Sequence, residues 1–248
     1  VISIFRTTAV LVLLLGGSSR SASAQTLVEA SAESRFQLDL RVPQTVLDAL
    51  VPPGFTMNVT TQGPAKDANL RVVFFDRMTI NGPDGRPVGK GSSRLVYLIV
   101  PVRDGEGNNS QLVIGGMTAD ASDAPGPFGS YLPATTHSYR RSTWSSDGKI
   151  LESQDWTFTA ESGEHLEMQI TFERGVANRG NPSEVRFYSG RDPSFYQISR
   201  QEQVLEILRN VTTHPPDRVT EFSFRGGGGS YARIFDGTEE LLSWDNIV

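Results

Sequence analysis

The chain has 248 residues, of which 38% are hydrophobic and 21% charged, the balance of a soluble globular protein rather than a disordered one. Its formal net charge of −5 excludes a general nucleic-acid surface, which needs clustered positive charge to replace counterions, and gives no reason to expect binding to anionic lipid. Cysteine is absent, so disulfides, thiol nucleophiles and thiolate metal sites are excluded together. The histidines, His137, His165 and His214, are too widely spaced to read as a metal-ligand cluster.

The N-terminal segment reads as a cleavable leader. Arg6 supplies a short positive region, residues 9–15 form an apolar core too short to cross a bilayer as a mature helix, and Ala22-Ser23-Ala24 presents small residues at signal-peptidase spacing. Cleavage is expected before Gln25. That leaves residues 25–248 as one secreted or periplasmic domain, off the membrane once the leader is gone. An uncleaved anchor is the competing reading.

Past the leader, alternation dominates. Phe36, Leu38, Leu40 and Val42 point one way in a strand, and Gln37, Asp39 and Arg41 the other. Pro43 opens a short helix through Leu50, with Val46, Leu47 and Leu50 as its apolar face, and Pro52-Pro53-Gly54 stops it. Strands follow at 70–75, 94–102 and 111–114, separated by Gly- and Asp-rich turns. Three long strands are expected at about 136–144, 150–160 and 165–174, joined by hairpin turns at Ser146-Asp147-Gly148 and Ser162-Gly163-Glu164. The spacing of Val204, Leu205 and Leu208 predicts a helix over 201–209. Residues 219–224 and 231–235 predict a last strand pair around the run Gly226–Gly229, or a loop between strands. The expected fold is mostly β: a closed or nearly closed antiparallel β barrel with a few short helices. A two-sheet sandwich is the alternative.

The order of features from Ser34-Arg35-Phe36 resembles the acetoacetate decarboxylase family. The likeness runs through Val46-Leu47-Asp48-Ala49-Leu50-Val51-Pro52-Pro53-Gly54-Phe55, the strand at 70–75, Ile99-Val100-Pro101-Val102, and Leu112-Val113-Ile114-Gly115. It covers about the first half of the mature chain. The resemblance implies a cone-like antiparallel barrel with a ligand cavity inside. It also implies a Schiff-base lysine whose pKa is lowered by a second lysine, the effect for which acetoacetate decarboxylase is the stock example. The segment most similar to the one carrying those lysines is Tyr131-Leu132-Pro133-Ala134-Thr135, with Ala134 and Thr135 at the lysine positions and Leu95 where a glutamate is expected. Arg35 matches an arginine at the barrel mouth.

The residues at those positions depart from that chemistry, since neither alanine nor threonine forms an imine. The chain has three lysines. Lys66 and Lys149 read as solvated turn residues, and Lys90, between two glycines, is the one candidate for a relocated amine. The expected function is therefore a small-molecule binder, taking a small organic acid or ketone-like ligand without Schiff-base chemistry and without a cofactor. The alternative is a lyase working through Lys90. The expected binding residues are Arg35, as a fixed guanidinium fork for a carboxylate, and Thr135, His137 and Tyr139 along one strand. A partly exposed strand pair is the plainer reading of His137 and Tyr139, and Arg140-Arg141 reads as a solvated edge.

Overall fold

In the computed structural model of the protein, residues 25–209 and 218–247 are described, and the leader lies outside them. The elements run β1 (Ala30–Arg41), α1 (Gln44–Asp48), β2 (Thr56–Met57), β3 (Leu70–Asn81), β4 (Ser93–Arg103), β5 (Asn109–Thr118) and β6 (Tyr131–Ser146). They continue with β7 (Lys149–Ala160), β8 (His165–Glu173), β9 (Asn178–Arg179), β10 (Ser183–Ser189), β11 (Tyr196–Gln201), β12 (Val204–Arg209), β13 (Val219–Gly227) and β14 (Glu240–Ile247). Short 3-10 turns lie at Ala121–Asp123 and Gly229–Arg233.

The strands form one sheet of 14 strands whose main path is β13-β8-β7-β6-β5-β4-β3-β1-β14-β12-β9. This corrects the expected barrel in two respects. The sheet is mixed, because β5 pairs in parallel with both β6 and β10. Among the described residues it is also not closed, since the path ends on β13 and β9 without returning. β6 changes partner along its length. Only Tyr131, Leu132 and Pro133 pair with β5 before the strand turns away to pair with β7 along the rest of its length. The sheet folds over itself there, and among the described residues its two ends do not meet in a ladder.

Side chains hold the folded halves together. Phe36 on β1 packs on Phe172 of β8, with ring centroids 6.3 Å apart, and Phe74 on β3 packs on Trp156 of β7 at 5.6 Å. Around them lie Leu38, Leu98, Met168 and Ile170, all buried. Cross-strand partners share a face of a sheet, so this set defines a core face. A second, smaller cluster of Val73, Phe75, Leu95, Ile99, Val113, Phe128 and Tyr131 covers the opposite face.

The gap between the sheet ends is stitched by charge. Arg174, just after β8, donates from Nε to Glu206 on β12 at 3.0 Å, and Arg218, just before β13, reaches the same carboxylate at 2.6 Å. Arg174 also donates to the fully buried Glu152 on β7 at 2.8 Å. Arg141 on β6 grips Glu152 through Nε at 2.9 Å and Nη2 at 3.0 Å. Arg140 and Arg141 are both exposed, as their sequence suggested, but the Arg141 guanidinium also reaches the buried Glu152.

Two local expectations are also corrected. Residues 201–209 end in strand β12 and not in a helix, because Glu206 and Leu208 are buried at strand period and β14 supplies the partner ladder. The expected strand over 231–235 is mostly the second 3-10 turn, which seats Tyr231 and Phe235 in the core. Tyr231 then bridges Gly116 through both the backbone N–H and the carbonyl, at 3.0 and 2.9 Å.

Candidate functional site

The register of four neighbouring pairings builds one row across the second face: Arg35 on β1, Phe75 on β3, Leu95 on β4, Thr118 on β5 and Pro133 on β6. Each member lies opposite the next, so the row joins residues 98 positions apart in sequence (Arg35 to Pro133). The adjacent row carries Tyr97 and Tyr131 on either side of Gly116. A side chain at Gly116 would collide with the Val96 carbonyl and crowd the Tyr131 ring.

Arg35 is fixed at one end of this arrangement. Its guanidinium lies over the Phe75 ring, 4.8 Å from the centroid, and pairs with Glu33 at 2.6 Å. Phe75, Tyr97 and Tyr131 continue as a ladder of rings with centroids 4.7 and 4.9 Å apart. Arg77, two residues along β3 on the same face, pairs with Glu33 at 3.1 Å and with Glu29. Burial would push the Glu33 carboxyl up, but Arg35, the Ser31 hydroxyl and Arg77 outweigh it and hold it below its usual range. Burial raises the Tyr97 phenol to about 12. Burial likewise raises Tyr131, whose hydroxyl lies beside Tyr97 yet has no hydrogen bond of good geometry. The site is therefore a rigid guanidinium pair balanced by carboxylates, next to an aromatic wall that stays neutral.

The expected binding residues are only partly brought to this place. Arg35 is there. Thr135 is exposed in a bulge between Ala134 and Thr136, and its hydroxyl donates to the Thr159 carbonyl at 3.1 Å. The bulge returns the strand to the other face. His137 and Tyr139 lie opposite Phe158 and Trp156, on the core-face side of the sheet. His137 is exposed. Tyr139 stacks on Trp156 at 3.9 Å beneath the Arg94 guanidinium, and burial raises its phenol to about 12, with Arg141 opposing. Ala134 packs against the main core. Thus Tyr131 and Pro133 are the residues of this segment that face the Arg35 row, and Thr135, His137 and Tyr139 are not. The sequence reading missed Glu33, Arg77, Phe75 and Tyr97. Their signal was the same-face alternation Glu33-x-Arg35 and Phe75-x-Arg77, which becomes a site only when β1 and β3 are set in register.

None of the lysines belongs to this row, although Asp120, the partner of Lys90, follows the row member Thr118 by two residues. Lys90 is 75% exposed and pairs with Asp120 at 2.6 Å. Lys149 pairs with Glu173 across a hairpin, and Lys66 is exposed. The hydrogen bond and charge of Asp120 raise the Lys90 amine above its ordinary value, which is opposite to the direction imine formation needs.

No protein-family model matches the chain, and no curated protein matches it. Solved structures do. An acetoacetate decarboxylase-like enzyme from Sphingomonas wittichii RW1 superposes with a TM-score of 0.52 at 11% identity, over 96% of this chain and 95% of that one. An acetoacetate decarboxylase from Legionella pneumophila covers 98% of this chain and 93% of its own at a TM-score of 0.48 and 9% identity. An enduracididine biosynthesis enzyme, solved with a condensation product of pyruvate and imidazole 4-carboxaldehyde, covers 92% and 89% at 0.48 and 10%. The chain carries the acetoacetate decarboxylase-like fold.

Proposed function

We propose that the Arg35 row binds a small organic acid or ketone-like ligand without Schiff-base chemistry. The observation that carries this reading is the immobilised Arg35. Glu33 and Phe75 take up part of its donor set and one of its faces, and a guanidinium has five N–H donors in a fixed fork. A donor set held in place before binding loses little freedom when a carboxylate arrives. Phe75, Leu95 and Tyr131, all buried, give the guanidinium apolar surroundings that strengthen its pairing with a carboxylate. The fold shared with a protein described as an acetoacetate decarboxylase-like enzyme supports a related binding or enzymatic role.

Calorimetric titration with acetoacetate and propionate tests the reading. Arg35→Met is expected to weaken both by at least about tenfold, a loss of roughly 1.4 kcal/mol, with the circular dichroism spectrum unchanged. Unaltered affinity would place the ligand elsewhere. The competing lyase makes a different forecast. Borohydride treatment with acetoacetate should then trap a covalent adduct on Lys90, whereas the binder leaves every lysine unlabelled.

Export is proposed on the leader alone. Expression of the full gene in a bacterial host followed by N-terminal sequencing is expected to give a mature chain starting at Gln25. An intact leader in the cytosolic fraction would refute it.

A further inference from the structure

The second face carries another polar concavity at its far end. It is an open depression of about 370 Å³ between the segment after β2 and the ends of β4 and β5, and its wall includes Asn58, Thr60, Arg71, Arg103, Asn109 and Gln111. On β3, Arg71 is four residues from Phe75, about 13 Å at roughly 3.3 Å per residue, so this place is separate from the Arg35 row.

Three features of the wall point to one kind of occupant. First, none of its residues is acidic, although the chain as a whole has a net charge of −5. Arg71 is held from behind by the buried Asp39, with Nε donating at 2.9 Å. Arg103 is exposed and has no acidic partner among the described residues. The concavity therefore has one guanidinium in a fixed position and one with its charge unmatched. Second, Oε1 of Gln111 is buried without a donor, and a buried acceptor left unsatisfied is costly. Third, the Asn58 amide donates to Asn109 Oδ1 at 3.1 Å, which orients a pair of amides on the same wall.

We propose that this depression binds a small hydroxylated carboxylate of the sugar-acid type. The carboxylate meets Arg103, hydroxyls engage Arg71 and the Asn58–Asn109 pair, and one hydroxyl donates to Gln111 Oε1 once that amide turns outward into the depression. Anion and hydroxyl are both required, because either alone leaves one half of the wall unmatched.

Calorimetry on the purified full chain with D-gluconate tests this, using D-glucose as the uncharged control and butyrate as the unhydroxylated one. In the Arg35→Met background, where the Arg35 row no longer offers its guanidinium to a carboxylate, gluconate is expected to bind saturably, with both controls at least about tenfold weaker. Arg103→Met should weaken gluconate by about tenfold or more. Gln111→Met should lower the preference for gluconate over butyrate while leaving the fold intact. Arg35→Met should leave gluconate affinity unchanged. The proposal is overturned by the absence of saturable gluconate binding at about 10 mM, already beyond the weak end of specific affinities. It is equally overturned by binding indifferent to Arg103→Met and Gln111→Met, by butyrate binding as well as gluconate in the Arg35→Met background, or by loss of gluconate binding in Arg35→Met.

Discussion

Replacing Asp245 by asparagine is expected to stabilise the protein at pH 8. Asp245 is buried on β14, and its neighbours on the adjoining strands are Gln37 and Asp39 on β1 and Ile207 on β12, with Arg71 of β3 beyond. Ser243 Oγ lies 3.3 Å from Asp39 Oδ2 and 3.4 Å from Asp245 Oδ2, so one hydroxyl faces two carboxylates. Arg71 pairs directly with Asp39, and Asp245 Oδ1 has no hydrogen-bond donor. Burial, and then the charge of Asp39, push the Asp245 carboxyl up to about 7 against the opposing pull of Arg71 and Ser243.

A carboxyl whose folded pKa is raised takes up protons more readily in the native state. Its stabilising contribution is complete below the unfolded pKa of about 4 and is lost as pH rises toward 7. Above pH 7 the wild type carries the whole cost of a poorly matched buried charge. Asparagine has no such charge, and its advantage at pH 8 is expected to be on the order of 2–4 kcal/mol. Urea unfolding midpoints at pH 5 and pH 8 check this. The wild type should lose stability between the two relative to Asp245→Asn, and parallel behaviour of both proteins would clear Asp245 of the role.

The second large effect has the opposite sign. Glu152 receives Arg141, Arg174 and the Gln154 amide, and Gln154 in turn accepts from Trp156 Nε1 at 3.1 Å. Removing the carboxylate leaves two guanidinium groups without their shared partner. Loss of one side of a buried ion pair costs about 3–5 kcal/mol, and the partial exposure of both arginines lowers this to roughly 2–4 kcal/mol for Glu152→Ala. Glu152→Gln keeps an acceptor oxygen and should fall between that and the wild type. Because Arg174 ties Glu152 to Glu206 across the open edge of the sheet, the alanine variant should also shield the amides of β12 less from hydrogen exchange. Unchanged protection there would mean that the network does not hold the gap.

Much of the β structure is legible in the sequence. The alternation of Phe36, Leu38 and Leu40 against Gln37 and Asp39 fixes which β1 side chains enter the main core, because strand geometry sends neighbours to opposite faces whatever the partner. Lys66 and Lys149 were legible as solvated for an equally local reason, their turn settings. The helix expected over 201–209 failed because Val204, Leu205 and Leu208 suit either period. The ladder to β14 decided between them, an instance of tertiary context overriding local pattern.

The site was less legible because it depends on register. Thr135, His137 and Tyr139 stand in sequence close to Tyr131, yet one extra residue in the ladder at Thr135 redirects everything beyond it. A shift of one position exchanges the faces of a strand, so no amount of composition could separate Tyr131, which faces Arg35's row, from Tyr139, which packs on Trp156. The same holds for the open sheet. Strand-forming segments are a property of short stretches of this chain. Whether their ends meet in a ladder or are joined by Arg174, Glu206 and Arg218 depends on pairings between residues that only the folded chain brings together.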